Sequence, residues 1–580
     1  MRRGLATLAV AVLLGVGVLL AWLRARADPE IAGPKRLAVL PFENLGRPED
    51  EYFADGVTDE VRGKLAALRG LVVIARSSSG QYKRTTKSPQ QIGQELGVDY
   101  LLTGTVRWEK DAGGPSRVRV SPELVQVSNS STKWQAPFEA PLTDVFGVQA
   151  DVAGRVAEAL GLALRTGERE RLGERPTQSL AAYDAFLHGE AAADGLATLD
   201  PVALQRAGDF YERAVALDSS FSLAWAQLSR ARSILYYYDL SSTTPVMAKQ
   251  ARMAAERAVA LAPERPEGYL AFGYYYAWVR FEHARALEQY AHGRQFAPND
   301  VRLLSAQGWS ELSAGRAEEA LVHLRQAEVL DPRSILTARF EVDALLGLRR
   351  YPEALAAAER CLALAPSSLL AIHAKVLAHL GLGDLTGAQA ALRAASPVVD
   401  PTALVAYMAL RGDLFWVLED EQQRLLLRLS PEPFGRNRAD WGLALAETYA
   451  QRGDSARARI YADSARLALE NRLLDAPDVG VLHALRGVVL AYLGRRAEAI
   501  SEGGRAVGLA TRGDDVLYKA YVQHQLVRIY LLLGEPERAL EQLKPLLSLP
   551  YWLSPGWLKV DPTFAPLRGN PRFERLVNGT

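Results

Sequence analysis

The chain has 580 residues, a formal charge of +1 at pH 7 and 49% hydrophobic residues. That length exceeds what a single hydrophobic core supports, so several modules are expected. The near-zero charge supplies no global field for nucleic acid, the hydrophobic content excludes a disordered chain, and the lone Cys361 excludes an internal disulfide and cysteine-based zinc sites.

Residues 5–23 form an uncharged apolar run, preceded by Arg2 and Arg3 and followed by Arg24 and Arg26. About 20 apolar residues span a bilayer core of roughly 30 Å, so residues 1–27 are expected to be a short stub and a transmembrane anchor. A cleaved signal peptide is the rival reading, because Ala25-Arg26-Ala27 has the small-x-small form of a cleavage site. Residues 28–34, with Pro29 and Pro34, read as a linker.

A different rhythm follows over residues 35–163. Strands are expected at 36–42, 71–76, 98–108, 117–127 and 133–138. Helices are expected at 55–68, opened by a turn at Asp55-Gly56; at 88–97, with Ser88 as cap and Pro89 in the first turn; and at 142–164. This order implies a small α/β layer domain. Ser77, Ser78 and Ser79 fall just after a strand, where such domains place ligand loops, and Lys83 nearby could meet an anionic group. A solvated turn is the plainer reading of all four. Residues 164–179 are charged, contain Pro176 and read as a hinge.

From residue 180 to 550 alanine keeps a period. Ala251, Ala286, Ala320, Ala354 and Ala388 stand 35, 34, 34 and 34 residues apart. Seven residues after each comes Ala258, Gly293, Ala327, Cys361 or Ala395, and five further on Pro263, Pro298, Pro332, Pro366 or Asp400. Small residues at a period of 34 mark stacked helical hairpins, about nine of them here. The beat begins at Ala207 and Ala214 and continues, more loosely, at Ala458, Ala499 and Ala539. Glycine lies five residues before the alanine at Gly315, Gly383, Gly453, Gly494 and Gly534, where it lets the first helix end in a left-handed turn. Residues 551–580, with Trp552, Trp557, Leu567 and Phe573, are expected to cap the last apolar face.

Two resemblances attach to these residues. Leu37-Ala-Val-Leu-Pro-Phe-Glu-Asn-Leu45, Tyr52-Phe-Ala-Asp-Gly56, Arg76-Ser-Ser-Ser79, Ile92-Gly-Gln-Glu-Leu-Gly-Val98, Leu102-Thr-Gly-Thr-Val106 and Phe146-Gly-Val-Gln149 resemble the N-terminal domain of the bacterial TolB family, in the version found ahead of tetratricopeptide repeats. Thr103 and Thr105 depart from that pattern, where an acidic residue and serine are usual. The repeats and the closing segment resemble tetratricopeptide proteins. The implied architecture is multidomain α+β: an N-terminal transmembrane helix, a TolB-like α/β domain and an all-α tetratricopeptide solenoid. The family also implies an inner-membrane protein whose soluble part lies outside the cytoplasm. Relatives carry kinase or DNA-binding modules ahead of the span. Only Met1 to Gly4 precede the run here, so such a module is not expected.

The sequence holds no glycine-rich phosphate loop, no kinase His-Arg-Asp or Asp-Phe-Gly, no His-Glu-x-x-His and no Gly-x-Ser-x-Gly. A non-enzymatic scaffold without cofactor or metal is therefore expected, binding a protein or peptide partner and no nucleic acid. In tetratricopeptide proteins the first helix of each hairpin lines a concave groove; this places Arg230, Tyr275, Trp278, Trp309, Asp343 and His373 as candidate groove residues. Tyr and Trp offer large contact area at low entropic cost. Three consecutive tyrosines, Tyr274 to Tyr276, cannot all face one side of a 3.6-residue helix, so one is expected to point outward. The tyrosines 236–238, in a ten-residue insertion, are a second aromatic candidate. The alternative function is ligand sensing by the TolB-like domain.

Overall fold

The structure is a computed structural model that describes residues 34–109, 116–192, 201–238, 244–395, 397–411 and 413–578. The expected anchor at 1–27 lies outside the described residues, as do the connection 110–115 and the insertion residues 239–243. Among the described residues no helix is long and apolar enough to cross a membrane. The chain forms two compact units. One comprises Met1–Leu45, described from Pro34, with Thr58–Ile74 and Tyr82–Gly173; the other comprises Gly46–Val57, Ala75–Gln81 and Glu174–Thr580.

The first unit is built on a mixed sheet of seven strands: β1 (Lys35–Val39), β2 (Glu43–Asn44), β3 (Leu71–Val73), β4 (Tyr100–Glu109), β5 (Arg117–Gln126), β6 (Ser131–Gln135) and β7 (Phe138–Pro141). The order is β3-β1-β4-β5-β6, with β2 on β4 and β7 on β5. β1 runs parallel to both β3 and β4, and β4 pairs antiparallel with β5 along ten residues. Within β5, Val118, Val120 and Leu124 are buried while Arg117 and Arg119 are exposed, the period-two pattern of a sheet with one covered face. Gly104 sits opposite Pro122, and a Cβ there would come within 3.0 Å of the Pro122 Cα. A side chain at 104 would force the hairpin apart.

Helices α1 (Glu51–Ala66), α2 (Arg76–Ser79), α3 (Pro89–Leu96), α4 (Val145–Ala159) and α5 (Thr166–Gly173) complete this part of the sequence. α3 begins as expected: Ser88 accepts from the Gln91 N–H, the Gln91 side chain accepts from the Ser88 N–H, and Gly97 ends the helix at φ 63°. Two expectations are corrected. Asp55-Gly56 is no turn but lies inside α1, which begins at Glu51 because Pro48 to Asp50 already form a 3-10 turn. The charged stretch read as a hinge contains α5, which packs on α4 and buries Leu172.

The second unit is a tetratricopeptide-type stack. Among the described residues ten helix pairs follow one another: α6 (Leu180–Ala192) with α7 (Pro201–Leu217), α8 (Ser222–Tyr238) with α9 (Pro245–Leu261), α10 (Pro266–Tyr274) with α11 (His283–Phe296), α12 (Val301–Ser313) with α13 (Ala317–Leu330), and α14 (Ile335–Gly347) with α15 (Tyr351–Leu364). Then come α16 (Leu369–Leu382) with α17 (Leu385–Ala395), α18 (Pro401–Leu410) with α19 (Asp420–Leu426), α20 (Arg438–Gln451) with α21 (Ser455–Asp475), α22 (Gly480–Tyr492) with α23 (Arg496–Ala510), and α24 (Val516–Leu532) with α25 (Pro536–Leu546). The alanine beat falls on the second helix of each pair. Ala251, Ala286, Ala320, Ala354 and Ala388 are fully buried, and so are Ala327 and Cys361.

The glycines five residues earlier are left-handed, at φ 82° for Gly315, 79° for Gly383, 81° for Gly453, 76° for Gly494 and 71° for Gly534. At the same repeat position, Phe281 and Arg349 hold φ 55° and 58° without being glycine. An L-residue there is strained by about 1–3 kcal/mol and persists only where its surroundings hold it.

Those surroundings are distant in sequence. The Phe281 ring stacks on Tyr518 at 4.5 Å, and its carbonyl accepts from the Asp514 N–H. Arg349 donates to the carbonyls of Leu547 and Leu553. Gly315 lies beside Val516, and Gly383 beside Gly556. The last repeats thus return along the turns of four earlier ones. Asp514 accepts from the backbone N–H groups of His283 and Ala284 at the start of α11, a helix cap supplied from 230 residues away. The closing helices α26 (Pro555–Val560) and α27 (Pro571–Asn578), with the 3-10 segment Pro562–Leu567 between them, bury Trp557, Leu567 and Phe573 and cover the last pair. α26 also packs on α16, which a cap limited to the last repeat would not do.

Replacing Ala320 and Ala327 by leucine should each cost about 1–3 kcal/mol through overpacking. Thermal melts of the two variants check this; an unchanged midpoint would contradict the packing described.

Candidate functional site: an arginine-rich chamber in the repeat unit

A half-open cavity of about 2290 Å³ lies within the second unit, lined by inward faces of first helices together with parts of α7, α9 and α21 and the connecting loops. It reaches the surface beside Val202, which is 76% exposed. Its wall follows the repeat. Arg339, His373 and Tyr407 stand 34 residues apart, and so do Trp309, Asp343, Leu377 and Arg411. Helices α14 and α16 each contribute one residue from each row, four positions apart and therefore on one face, and Arg411 stands just past the end of α18. Leu517, Tyr518 and Tyr521 of α24 face the chamber from the returning repeats.

Of the six groove candidates, Trp309, Asp343 and His373 line this chamber. The other three do not. Arg230 is 9% exposed, donates to Gln227 and lies over the Tyr274 ring at 5.0 Å. Tyr275 and Trp278 are 8% and 5% exposed, packed in a cluster with Tyr236, Tyr237, Tyr238 and Trp309. Tyr276 is buried and Tyr274 half-buried, so none of the three consecutive tyrosines projects freely. The reason is local: Tyr275–Arg280 is a π-helical turn, which holds more residues per turn and so brings neighbours in sequence closer to one face. Trp278 stacks on Trp309 at 5.4 Å with the rings 4° from parallel, and Trp309 in turn meets Phe340 at 4.8 Å.

The serine loop is also corrected. Ser77, Ser78 and Ser79 lie in helix α2, and the hydroxyls of Ser77 and Ser78 donate to the carboxylate of Asp331, which belongs to the same unit. Burial pushes Asp331 up, and those two hydroxyls draw it back. Ser79 is fully buried. Ser77 and Ser78 thus engage a buried carboxylate, while the Ser79 hydroxyl is buried without a hydrogen-bond partner. Lys83 belongs to the first unit, half-exposed in a turn.

The polar part of the chamber centres on α14, α16 and the end of α18. Arg339 pairs with Asp343 at 2.8 Å. Burial pushes Asp343 up to about 6, against the pull of Arg339. His373 approaches the Arg411 carbonyl at 3.3 Å and the Tyr407 ring edge-on at 5.9 Å. Burial holds it well below the usual histidine range, and Arg339 and Arg411 push the same way, so it is neutral at pH 7. The Arg411 guanidinium lies over Tyr238 at 5.1 Å. Sequence reading missed Arg339, Tyr407 and Arg411. One step of 34 either side of His373 finds Arg339 and Tyr407, and two steps on from Asp343 find Arg411.

Deeper in the wall, Arg528 of α24 bridges Glu447 of α20 and Asp413, 3.0 Å away, and Gln525 donates to Asp413 at 2.7 Å. Among the described residues no cluster of three or more His, Cys, Asp or Glu side chains could hold a metal ion.

No family model matches the chain. It is 31% identical over 257 residues to the protein named putative adenylate cyclase 3 of Rhizobium meliloti (strain 1021), a match covering 44% of this chain and 42% of that protein. It is 40% identical over 86 residues to the Hsp70-Hsp90 organizing protein of Triticum aestivum, covering 15% of each. The chain thus spans less than half the length of either curated relative. Among solved structures it is similar to TTC0263, a thermophilic TPR protein of Thermus thermophilus, at 20% identity and a TM-score of 0.30, over 34% of this chain and all of that one.

The Arg528 bridge yields a test with a definite sign. Arg528→Met should cost about 3–5 kcal/mol at neutral pH by stranding Glu447 and Asp413. Burial already pushes Glu447 up to about 7 with the arginine present. A carboxyl raised on folding favours the fold below its unfolded value and loses that contribution as pH rises through the folded one. Denaturant melts of the variant should therefore show greatest stability near pH 5 and a steep decline towards pH 8.

Proposed function

We propose that the protein is a non-enzymatic scaffold that holds a segment of a partner polypeptide in the chamber of its repeat unit. The size of that chamber carries the reading: about 2290 Å³ lies well beyond the roughly 300–1,000 Å³ typical of small-molecule sites. Its aromatic wall of Trp309, Phe340, Tyr407 and Tyr521 suits side-chain anchors, and its polar row suits a backbone or a charged group. The absence of recognisable catalytic motifs from the sequence supports a binding role. The cyclase name belongs to a relative of which less than half is matched, and the reading takes nothing from it.

Panning a random peptide library on the full chain tests this. Recovered peptides should lose about thirtyfold or more in affinity when Trp309 and Tyr407 are both replaced by alanine, with the circular dichroism spectrum unchanged. Equal binding to this variant would place the peptides elsewhere and reject the chamber.

The same proposal includes a TolB-like first unit and an N-terminal anchor that leaves the chamber outside the cytoplasmic membrane. It rests on the motifs quoted for residues 35–163 and on the basic-flanked apolar run at 5–23. Alkaline phosphatase fused after Thr580 should be active in a bacterial host. Fluorescence of green fluorescent protein at the same position would overturn that orientation.

A further inference from the structure

The chamber has a charge imbalance that its own residues leave open. Among the described residues its lining holds eight arginines, six carboxylates and no lysine. Two of those carboxylates, Asp413 and Glu447, are already engaged by Arg528. Arg339 uses one nitrogen on Asp343, while its Nη1 is buried without a hydrogen-bond partner, in a residue only 9% exposed. The Nε of Arg411 is likewise buried and unpartnered, and among the described residues Arg411 forms no ion pair. Its contacts are the flat face of Tyr238 and, through its carbonyl, neutral His373. Unsatisfied guanidinium nitrogens in a partly desolvated site are costly unless an anion completes them.

The two arginines belong to different rows, two repeats apart, and converge on His373 of the intervening repeat and on Tyr238, both of which feel the charge of each. Arg339 is one period before His373, and Arg411 stands two periods after Asp343. The guanidinium fork matches the two oxygens of a carboxylate, and its preference for that geometry exceeds that of a lysine ammonium. The cluster is not at one end of the chamber. Along the stack, Trp309 of α12 precedes the two arginines and Leu443 of α20 follows them. A chain passing through would present a side chain to the arginines, whereas a chain terminus would have to stop midway.

We propose that the chamber takes an acidic segment of a polypeptide, with an aspartate or glutamate side chain seated on Arg411 and Arg339. This deepens the function proposed above and rests on it. Asp343 is the internal competitor, holding Arg339 until a ligand carboxylate arrives.

The experiment uses the full chain and a fluorescein-labelled, C-terminally amidated dodecapeptide of alternating leucine and glutamate, read by anisotropy. The glutamate peptide should bind about tenfold or more tightly than its glutamine counterpart. Arg411→Gln should bring the two peptides level, Arg411→Lys should recover part of the difference, and Asp343→Asn should tighten the glutamate peptide. Melting temperatures of the variants exclude unfolding as the cause. Equal binding of both peptides, with both weakened by Trp309→Ala, would overturn the acidic inference and leave the polypeptide chamber standing. Binding of neither peptide would reject the acidic inference, and failed panning on the same preparation would remove the chamber reading with it. A glutamine peptide with a free terminal carboxylate that matches the glutamate peptide, or inorganic phosphate that competes at equal concentration, would also overturn the side-chain assignment.

Discussion

Two packed helices approach within about 8–10 Å only where the side chains between them are small. In the repeat unit that condition is met by Ala251, Ala286, Ala320, Ala354 and Ala388, with Ala258, Gly293, Ala327, Cys361 and Ala395 two turns on, all on the second helix of a pair. Because the contact recurs every 34 residues, the first helices are held at constant pitch. Residues with no chemical kinship then become neighbours. Arg339, His373 and Tyr407 form one row and Trp309, Asp343, Leu377 and Arg411 another. The chamber is thus a by-product of alanine periodicity: the beat fixes where its wall stands, and the intervening residues set the chemistry of its surface.

Most of the local structure was legible in advance. Period-two hydrophobicity located β4 and β5, and Ser88-Pro89 with Gly97 bounded α3, because strand alternation and helix capping are properties of adjacent residues. The left-handed glycines at 315, 383, 453, 494 and 534 were readable for the same reason. For the candidate site, repeat geometry assigned Trp309, Asp343, His373, Arg230, Tyr275 and Trp278 alike to the inner face. The first three line the chamber, whereas Tyr275 and Trp278 pack into an aromatic cluster at a π-helical turn, which has no sequence signature. Ser77 and Ser78 misled because Asp331, the carboxylate they serve, is more than 250 residues away.

Charge is distributed within the repeat unit with a clear division. Arg528 sits between Asp413 and Glu447, and removing either partner from such a buried arrangement is far more damaging than removing a surface pair. Arg339 and Asp343 share the same logic at the chamber face. Arg411 stands apart, with an aromatic ring in place of an acid. The unit therefore combines paired charge in its wall with an arginine at the chamber face that has no acid partner among the described residues.

Repeat proteins are commonly described as one-dimensional chains in which each unit feels only its neighbours. Phe281 and Arg349 break that description. Their backbones occupy a conformation that glycine would adopt freely, and what holds them is Tyr518, Asp514 and the carbonyls of Leu547 and Leu553. Each middle hairpin is therefore thermodynamically tied to a unit some two hundred residues downstream. Fraying from the C-terminal end would release the distortion stored in the middle, so the array is built to lose its order as a block and not link by link.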